Sequence, residues 1–388
     1  MSLDVVRHYL SLLENPLSSR LRNHTTTVSL SLAPWTPALV WADGGDDEGT
    51  LRLVCSHKDK ATASILKLLT NLSQIELDLP PFRTPRRPDS WQWWPETIAA
   101  LEEIGCSAAD GTSRPFIRAL ALHAVRPSMD DLIGQILKAL VPNLSALVLA
   151  TDSNHIHKAD DVDFVASWSA IQLYAANLAT LVVSGIPVPA PNASWACSRS
   201  LRDLDITWAP ALTPAHAYEF ICQFPALRNV TLRSIRIRIG STLPPRDNLN
   251  VSTRTTLPNG VIGTTSDSSL DANTLPGRPR TSISLQNLSL SSLDIDFAIA
   301  LSSLGTTTLH LQVIHRSTAF LLHLLKQPHA FVGLSRLVIG NHEEGMMMGR
   351  GNRRVLFGWL GAKETEELKA VCKERGCAFE DERFSGTT

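Results

Sequence analysis

The sequence predicts an α/β chain of strand–helix units laid side by side, and three observations carry that prediction. First, four short apolar runs recur between residues 144 and 232. They read Leu144-Ser-Ala-Leu147-Val-Leu149, Leu178-Ala-Thr-Leu181-Val-Val183, Leu201-Arg-Asp-Leu204-Asp-Ile206 and Leu227-Arg-Asn-Val230-Thr-Leu232, with starts 34, 23 and 26 residues apart. Each fits the template L-x-x-L-x-L, with Val or Ile allowed for Leu. Second, the template recurs outside this window, starting at Leu72, Ile117, Leu285, Thr306 and Leu334, which makes nine strands. Third, stretches with helical apolar spacing lie between the strands, and several end just before a strand entry such as Pro142-Asn-Leu144 or Pro225-Ala-Leu227. A repeat at this period is the signature of a leucine-rich-repeat solenoid with irregular repeats, its parallel sheet on the concave face and its helices on the convex face.

The physical reason lies in the alternation of strand side chains. The last two apolar positions of the template share one face, the residues between them point the other way, and one strand cannot bury its own apolar face. Copies must stack so that their leucines merge into one core. Parallel strands need a crossover of about a dozen residues or more, and the observed steps leave room for one helix each.

Taken in order, Asp4–Glu14 reads as a short amphipathic helix and Thr25–Leu32 as a strand. Leu39-Val-Trp41 and Leu51-Arg-Leu-Val54 flank the acidic, glycine-rich Asp43–Gly49 and predict a hairpin. The ligand alternation and closing Glu of a calcium loop are missing there. Ala61–Thr70 predicts a helix. Pro80–Pro95 sets Arg83, Arg86 and Arg87 beside Trp91, Trp93 and Trp94, which reads as a proline-stiffened loop whose tryptophans cover a repeat end. Further helices are predicted at Pro95–Ile104, at Ser128–Leu140 with Ser128 as N-cap, at Asp161–Ala176, and from Thr213 to Phe224. Residues 241–283, rich in Ser, Thr, Pro, Gly and Asn without apolar period, predict a disordered insertion. Helices follow at Asp294–Leu304 and Ser317–Lys326. The Gly345–Arg354 run is a loop and not a phosphate-binding P-loop, since no Gly-Lys-Ser/Thr follows. Thr365–Arg375 predicts a charged helix, Gly376 its C-cap, and Cys377–Glu380 a last strand. The domain plan is thus an N-terminal capping region (1–57), repeats (58–240), the insertion (241–283), further repeats (284–361) and a C-terminal cap and tail (362–388).

Charge and composition narrow the function. The 388 residues carry 36 basic and 37 acidic side chains, net −1, which offers no electrostatic case for nucleic acid or a membrane surface. No run of about 18 apolar residues would span a membrane and no secretory signal is seen, so a cytoplasmic or nuclear protein is expected. The Asn-x-Ser/Thr triplets at Asn71, Asn143, Asn229 and Asn287 sit at strand entries and read as by-products of the repeat. The six cysteines contain no C-x-x-C pair and read as reduced, mostly buried thiols.

Two sites compete for the working part. Residues between the leucines project from the sheet, and Gln74, Glu76, Asp203, Asp205, Asn229, Thr231, His310 and Arg336 are the polar ones expected to touch a protein partner. The row is small and apolar from 119 to 182 and mostly polar from 203 onward. The alternative is a metal, ligand or catalytic site in Asn154-His-Ile-His157-Lys-Ala-Asp160-Asp161-Val-Asp163. That segment straddles a helix start, so no common helical face gathers its side chains. It reads first as a polar loop with an Asp cap. No metal, cofactor or enzymatic activity is expected.

The irregular strand–helix repeats, the low-complexity insertion and the closing Leu368-Lys-Ala-Val-Cys-Lys-Glu-Arg-Gly-Cys-Ala-Phe379 together resemble the leucine-rich region of fungal F-box-like proteins, over roughly residues 60–380. The resemblance implies a substrate-recognition subunit of a cullin-type ubiquitin ligase. Its target would sit on the concave face, with a Skp-type linker and a cullin as further partners. The chain departs from that pattern at its N-terminus. The Leu-Pro-x-Glu-like opening of an F-box is not found, and residues 4–22 are too short to supply the module.

Overall fold

In all nine template copies the first apolar position is buried before the strand begins. Leu72, Ile117, Leu144, Leu178, Leu201, Leu227, Leu285, Thr306 and Leu334 each precede their strand by two residues. Each tucks under the turn into the strand, and the strand then alternates. The computed structural model describes residues 3–15, 19–31, 48–79, 94–109, 117–151, 164–189, 194–207, 209, 212, 214–233, 285, 287–290, 295–311, 318–340 and 362–382. The chain divides into two units, Met1–Ala211 and Leu212–Thr388. Both are α/β, with parallel strands in sequence order.

The first unit carries six strands: β1 Thr27–Ser31, β2 Gln74–Asp78, β3 Ala119–Val125, β4 Ala146–Thr151, β5 Thr180–Ser184 and β6 Asp203–Thr207. Each pairs in parallel with the next. Its helices are α1 Leu3–Glu14, α2 Ser19–His24, α3 Glu48–Leu68, α4 Pro95–Ala109, α5 Asp130–Leu140 and α6 Val165–Tyr174. From α3 to α6 each helix packs on the next. Gly105 and Gly134 permit two of these approaches: a Cβ on Gly105 would lie 2.3 Å from the Ala139 carbonyl oxygen, and one on Gly134 2.8 Å from the Ala166 Cβ.

A regular hydrogen-bond step joins the repeats. The carbonyls of Thr26, Ser73, Arg118, Ser145 and Ala179 stand at the same template position. Each accepts two consecutive backbone N–H groups from the following repeat, at 2.7–3.1 Å. Where a serine stands there, its hydroxyl adds a third donor: Ser73 Oγ donates to Thr26 O and Ser145 Oγ to Arg118 O.

Helix ends are satisfied in the same neighbour-to-neighbour way. The Asp59 carboxylate, on α3, accepts the N–H groups of Glu96 and Thr97 in the first turn of α4, at 2.9 and 2.7 Å. Asp130, on α5, does the same for Ala166 and Ser167 of α6, at 2.6 and 2.9 Å, and also accepts the Ser167 hydroxyl at 2.5 Å. The second and third residues of each helix are the donors in both cases, so each acid performs the work of an N-cap from one helix away. Burial pushes the Asp59 carboxyl above its ordinary range, and the Thr97 and Glu96 hydrogen bonds pull it back.

The second unit holds β7 Asn229–Arg233, β8 Asn287–Leu290, β9 Thr308–Leu311, β10 Arg336–Ile339 and β11 Ala378–Asp381, again parallel and in order. Its helices are α7 Pro214–Ile221, α8 Ile295–Ser302, α9 Thr318–Lys326 and α10 Ala362–Glu374. Gly376 ends α10 with φ +69°. Its N–H bonds to Lys373 O and that of Cys377 to Cys372 O, the paired closure that favours glycine there. Beside it the Arg375 guanidinium donates to the carbonyls of Leu325, Gln327, Ala330 and Phe331. A cation thus meets the carbonyl end of α9, where the helix dipole favours one.

All nine template strands are present, and the two flanking strands at 27–31 and 378–381 continue their sheets in register. Three expectations are corrected. Leu51–Val54 is not a hairpin strand but part of α3, which starts at Glu48. Ser128 does not cap α5: it lies inside a 3-10 turn, Pro127–Met129, and the cap position is Met129, with no side-chain cap. The step from β5 to β6, the shortest of the first unit, contains no α-helix among the described residues and turns instead through the 3-10 segment Ala196–Arg199. The insertion at 241–283 lies outside the described residues.

Two predictions follow from this packing. Asp130→Ala removes an acceptor from three donors and should cost roughly 1–3 kcal/mol in urea unfolding, with faster hydrogen exchange at the Ala166 and Ser167 amides. Thr306 stands where the template wants an apolar residue, fully buried, and its hydroxyl has no hydrogen-bond partner. Thr306→Val removes that desolvated hydroxyl and should raise the melting temperature, by a gain of up to about 1–2 kcal/mol.

Candidate functional site: the outward face of the strands

Strand alternation separates two faces. Ile75, Leu77, Leu120, Leu122, Leu147, Leu149, Leu181, Val183, Leu204 and Ile206 are buried, and the residues between them stay partly or fully exposed. In the first unit the parallel register lines these outward residues into rows. One row runs Gln74, Ala119, Ala146, Thr180, Asp203, and the next runs Glu76, Ala121, Val148, Val182, Asp205. The structure therefore places Gln74, Glu76, Asp203 and Asp205 on one face, in two rows, at opposite sides of a strip of small residues.

The acids have identifiable neighbours. Glu76 Oε1 lies 3.0 Å from His123 Nε2. Ser31 Oγ donates to Asp78 at 3.3 Å, Thr180 Oγ1 to Asp203 at 3.2 Å and Thr207 Oγ1 to Asp205 at 3.0 Å. His123 stands at the next outward position after Ala121, in register with Asp78, and a bulge follows it. The β3–β4 register shifts between Leu122 and Val125, and Ala124 takes the left-handed φ of 55°. Such an extra residue re-aims its neighbours. His123 was not among the residues the sequence points to. Its signal is the alternation Ala119-Leu-Ala-Leu-His123, which runs one outward position past the template's last leucine.

In the second unit Asn229 and Thr231 stand half-buried at outward positions of β7. His310 on β9 and Arg336 on β10 belong to a denser cluster. The Arg336 guanidinium makes a two-pronged bond to the Glu380 carboxylate of β11, through Nε at 2.8 Å and through Nη2. This pair raises the Arg336 pKa and holds the Glu380 carboxyl below its usual range. The His310 ring lies over Gly340, where a Cβ would come within 2.2 Å of Nε2. That nitrogen is shielded from solvent, 3.7 Å from Glu382 Oε2 and without a hydrogen-bond partner. Val338, an expected outward residue, is buried instead.

The competing loop at 154–163, the Arg–Trp segment at 80–93 and the glycine–arginine run at 345–354 lie outside the described residues. Among the described residues no group of three or more His, Cys, Asp or Glu could hold a metal ion. Cys197, Cys372 and Cys377 are buried free thiols and Cys222 is half-buried. Burial pushes Cys197 up to about 11 and Cys372 to about 12. Thiols held there stay protonated at neutral pH, which disarms them as nucleophiles. No described helix is long and apolar enough to cross a membrane.

Comparison with known proteins adds little to this geometry. No protein family matches the chain, and no curated protein matches it. Among solved structures, a crystal structure of a Bacteroides fragilis protein, a target of the Northeast Structural Genomics Consortium, aligns at 12% identity. The alignment spans 82% of this chain and 67% of that one, with a TM-score of 0.34. A likeness at that score carries no argument about function.

The Arg336–Glu380 pair gives a pH prediction. A carboxyl whose value is lowered on folding stabilises above its unfolded value, and that contribution is lost as pH falls through the lowered one. The pair is exposed, so Arg336→Gln should barely change the melting temperature at neutral pH. Any difference from the parent chain should shrink with added salt and vanish once Glu380 is protonated.

Proposed function

We propose that this chain is a non-enzymatic protein-interaction scaffold: a leucine-rich-repeat solenoid whose outward sheet residues receive a protein partner. The observation that carries the reading is the in-register platform of the first unit. There, outward side chains from five consecutive strands stand in two parallel rows on a buried leucine core. A platform of this kind offers a partner a broad, pre-organised surface. Cys197 and Cys372, whose thiols burial keeps protonated at neutral pH, lie off this face, in the Ala196–Arg199 turn and in α10.

The specific form of the proposal is a substrate-recognition subunit of a cullin-type ubiquitin ligase, in the manner of the fungal F-box-like proteins that the sequence resembles. Its support is that sequence resemblance together with the repeated strand–helix order. A protein that delivers a target needs a selective surface and no catalytic residues of its own.

The test is affinity purification of the tagged full chain from its native cells, with mass spectrometry, run beside Val148→Arg. Val148 is half-exposed at the centre of the platform, so the substitution blocks the face without opening the core. A bound protein should be lost from the variant while a Skp-type linker and a cullin are retained. Loss of the partner without any linker or cullin would leave the scaffold and remove the ligase role. A partner set unchanged by Val148→Arg would overturn the platform as the binding surface.

A further inference from the structure

The outward row across β2 to β6 has an order that folding does not require. It runs Glu76, Ala121, Val148, Val182, Asp205: an acid, three apolar residues, an acid. The row beside it runs Gln74, Ala119, Ala146, Thr180, Asp203, with two alanines at its centre and one acid at the β6 end, and Asp78 adds a further acid at the β2 end. We propose that this face binds an extended cationic peptide segment of a partner protein, apolar at its centre and carrying Arg or Lys at both ends. The inference rests on the scaffold reading and names the chemistry of its partner.

Three features converge on that ligand. The central strip is made of Ala and Val side chains, all half-exposed on the side of the sheet away from the leucine core. A solvated sheet face ordinarily carries polar residues, so an apolar strip there is available to a partner's apolar side chains. Its members are small, which lets a second backbone approach closely. Carboxylates stand at both ends, Glu76 and Asp78 on β2 and Asp203 and Asp205 on β6. Asp205 accepts a hydroxyl from Thr207, which leaves its charge in place. Glu76 meets His123 across 3.0 Å. A phosphate backbone or an anionic lipid surface would be repelled by this rim, and a cationic segment attracted to it.

Spacing sets the length of the segment. Adjacent strands lie about 4.8 Å apart, so four steps from β2 to β6 separate the acids by about 19 Å. An extended chain rises about 3.3 Å per residue and covers that distance in about six residues. The basic residues should therefore stand about six apart, with aliphatic residues between them.

The experiment measures fluorescence anisotropy of the labelled peptide Arg-Arg-Ala-Leu-Ala-Leu-Ala-Arg-Arg titrated with the full chain. Two control peptides replace the arginines by glutamates or the leucines by serines. Saturable binding is expected for the first peptide alone, weakening as salt is raised. The double variant Glu76→Gln, Asp205→Asn should bind about ten-fold more weakly, and its circular dichroism melt should match the parent's. Equal binding of the glutamate peptide, or affinity unchanged in the double variant, would overturn the proposal. The two readings separate on native partners. Partners lost with Val148→Arg but kept by the double variant would leave the scaffold standing and remove the cationic segment. Partners kept by both variants would remove the platform itself.

Discussion

No strand of this chain can bury its leucines alone, and every other feature answers to that constraint. A strand of four to seven residues has one apolar face, and the buried residue two positions before it adds a third anchor without closing the core. Closure comes from the next copy. The paired N–H donors that reach back to Thr26, Ser73, Arg118, Ser145 and Ala179 hold successive copies at one register, and the register keeps every leucine over its counterpart. A slip of one residue would turn the whole apolar set outward. The hydrogen-bond step and the hydrophobic core therefore select the same alignment.

The helices obey the same rule through different chemistry. Asp59 and Asp130 are unremarkable within their own helices and act at the start of the next one. Arg375 does the converse at the C-terminal end, where one guanidinium meets four carbonyls around the end of α9. Polar groups that a lone helix would leave to water are satisfied by the neighbour, so each repeat is both a support and a dependant. Stability in such an arrangement is a sum of nearest-neighbour terms.

This explains what the sequence shows and what it hides. The nine template strands are legible because the leucine spacing is local and each copy supports the reading of the others. Even Thr306, a poor match, occupies its buried place. The flanking strands read as strands, but Thr25 stands where β1 would carry the template's first leucine, so the repeat itself is not evident there. The error at Leu51–Val54 has a local cause: a short apolar run after an acidic, glycine-rich stretch fits a strand or a helix equally well. The Ser128 cap fails for a different reason. Pro127 opens a 3-10 turn, and the helix cap that matters in this region is made by Asp130 for another helix, a contact that no local pattern encodes. For the outward face, the residues at Gln74, Glu76, Asp203 and Asp205 are placed by alternation alone. His123 follows the same alternation, two residues past Ala121, but it lies beyond the template's last leucine, Leu122, where the pattern no longer marks the strand.

The separation of the two strand faces also bears on how such a protein can change over generations. Inward positions are held by close packing, and almost any replacement there damages the fold. Outward positions such as Ala121, Val148 and Val182 support nothing beneath them. Replacements there alter what the surface attracts while the scaffold stays intact. Neighbouring strands can be altered one at a time, since each contributes its own short piece of the surface. A lineage built on this plan can acquire new preferences in small steps without passing through unfolded intermediates.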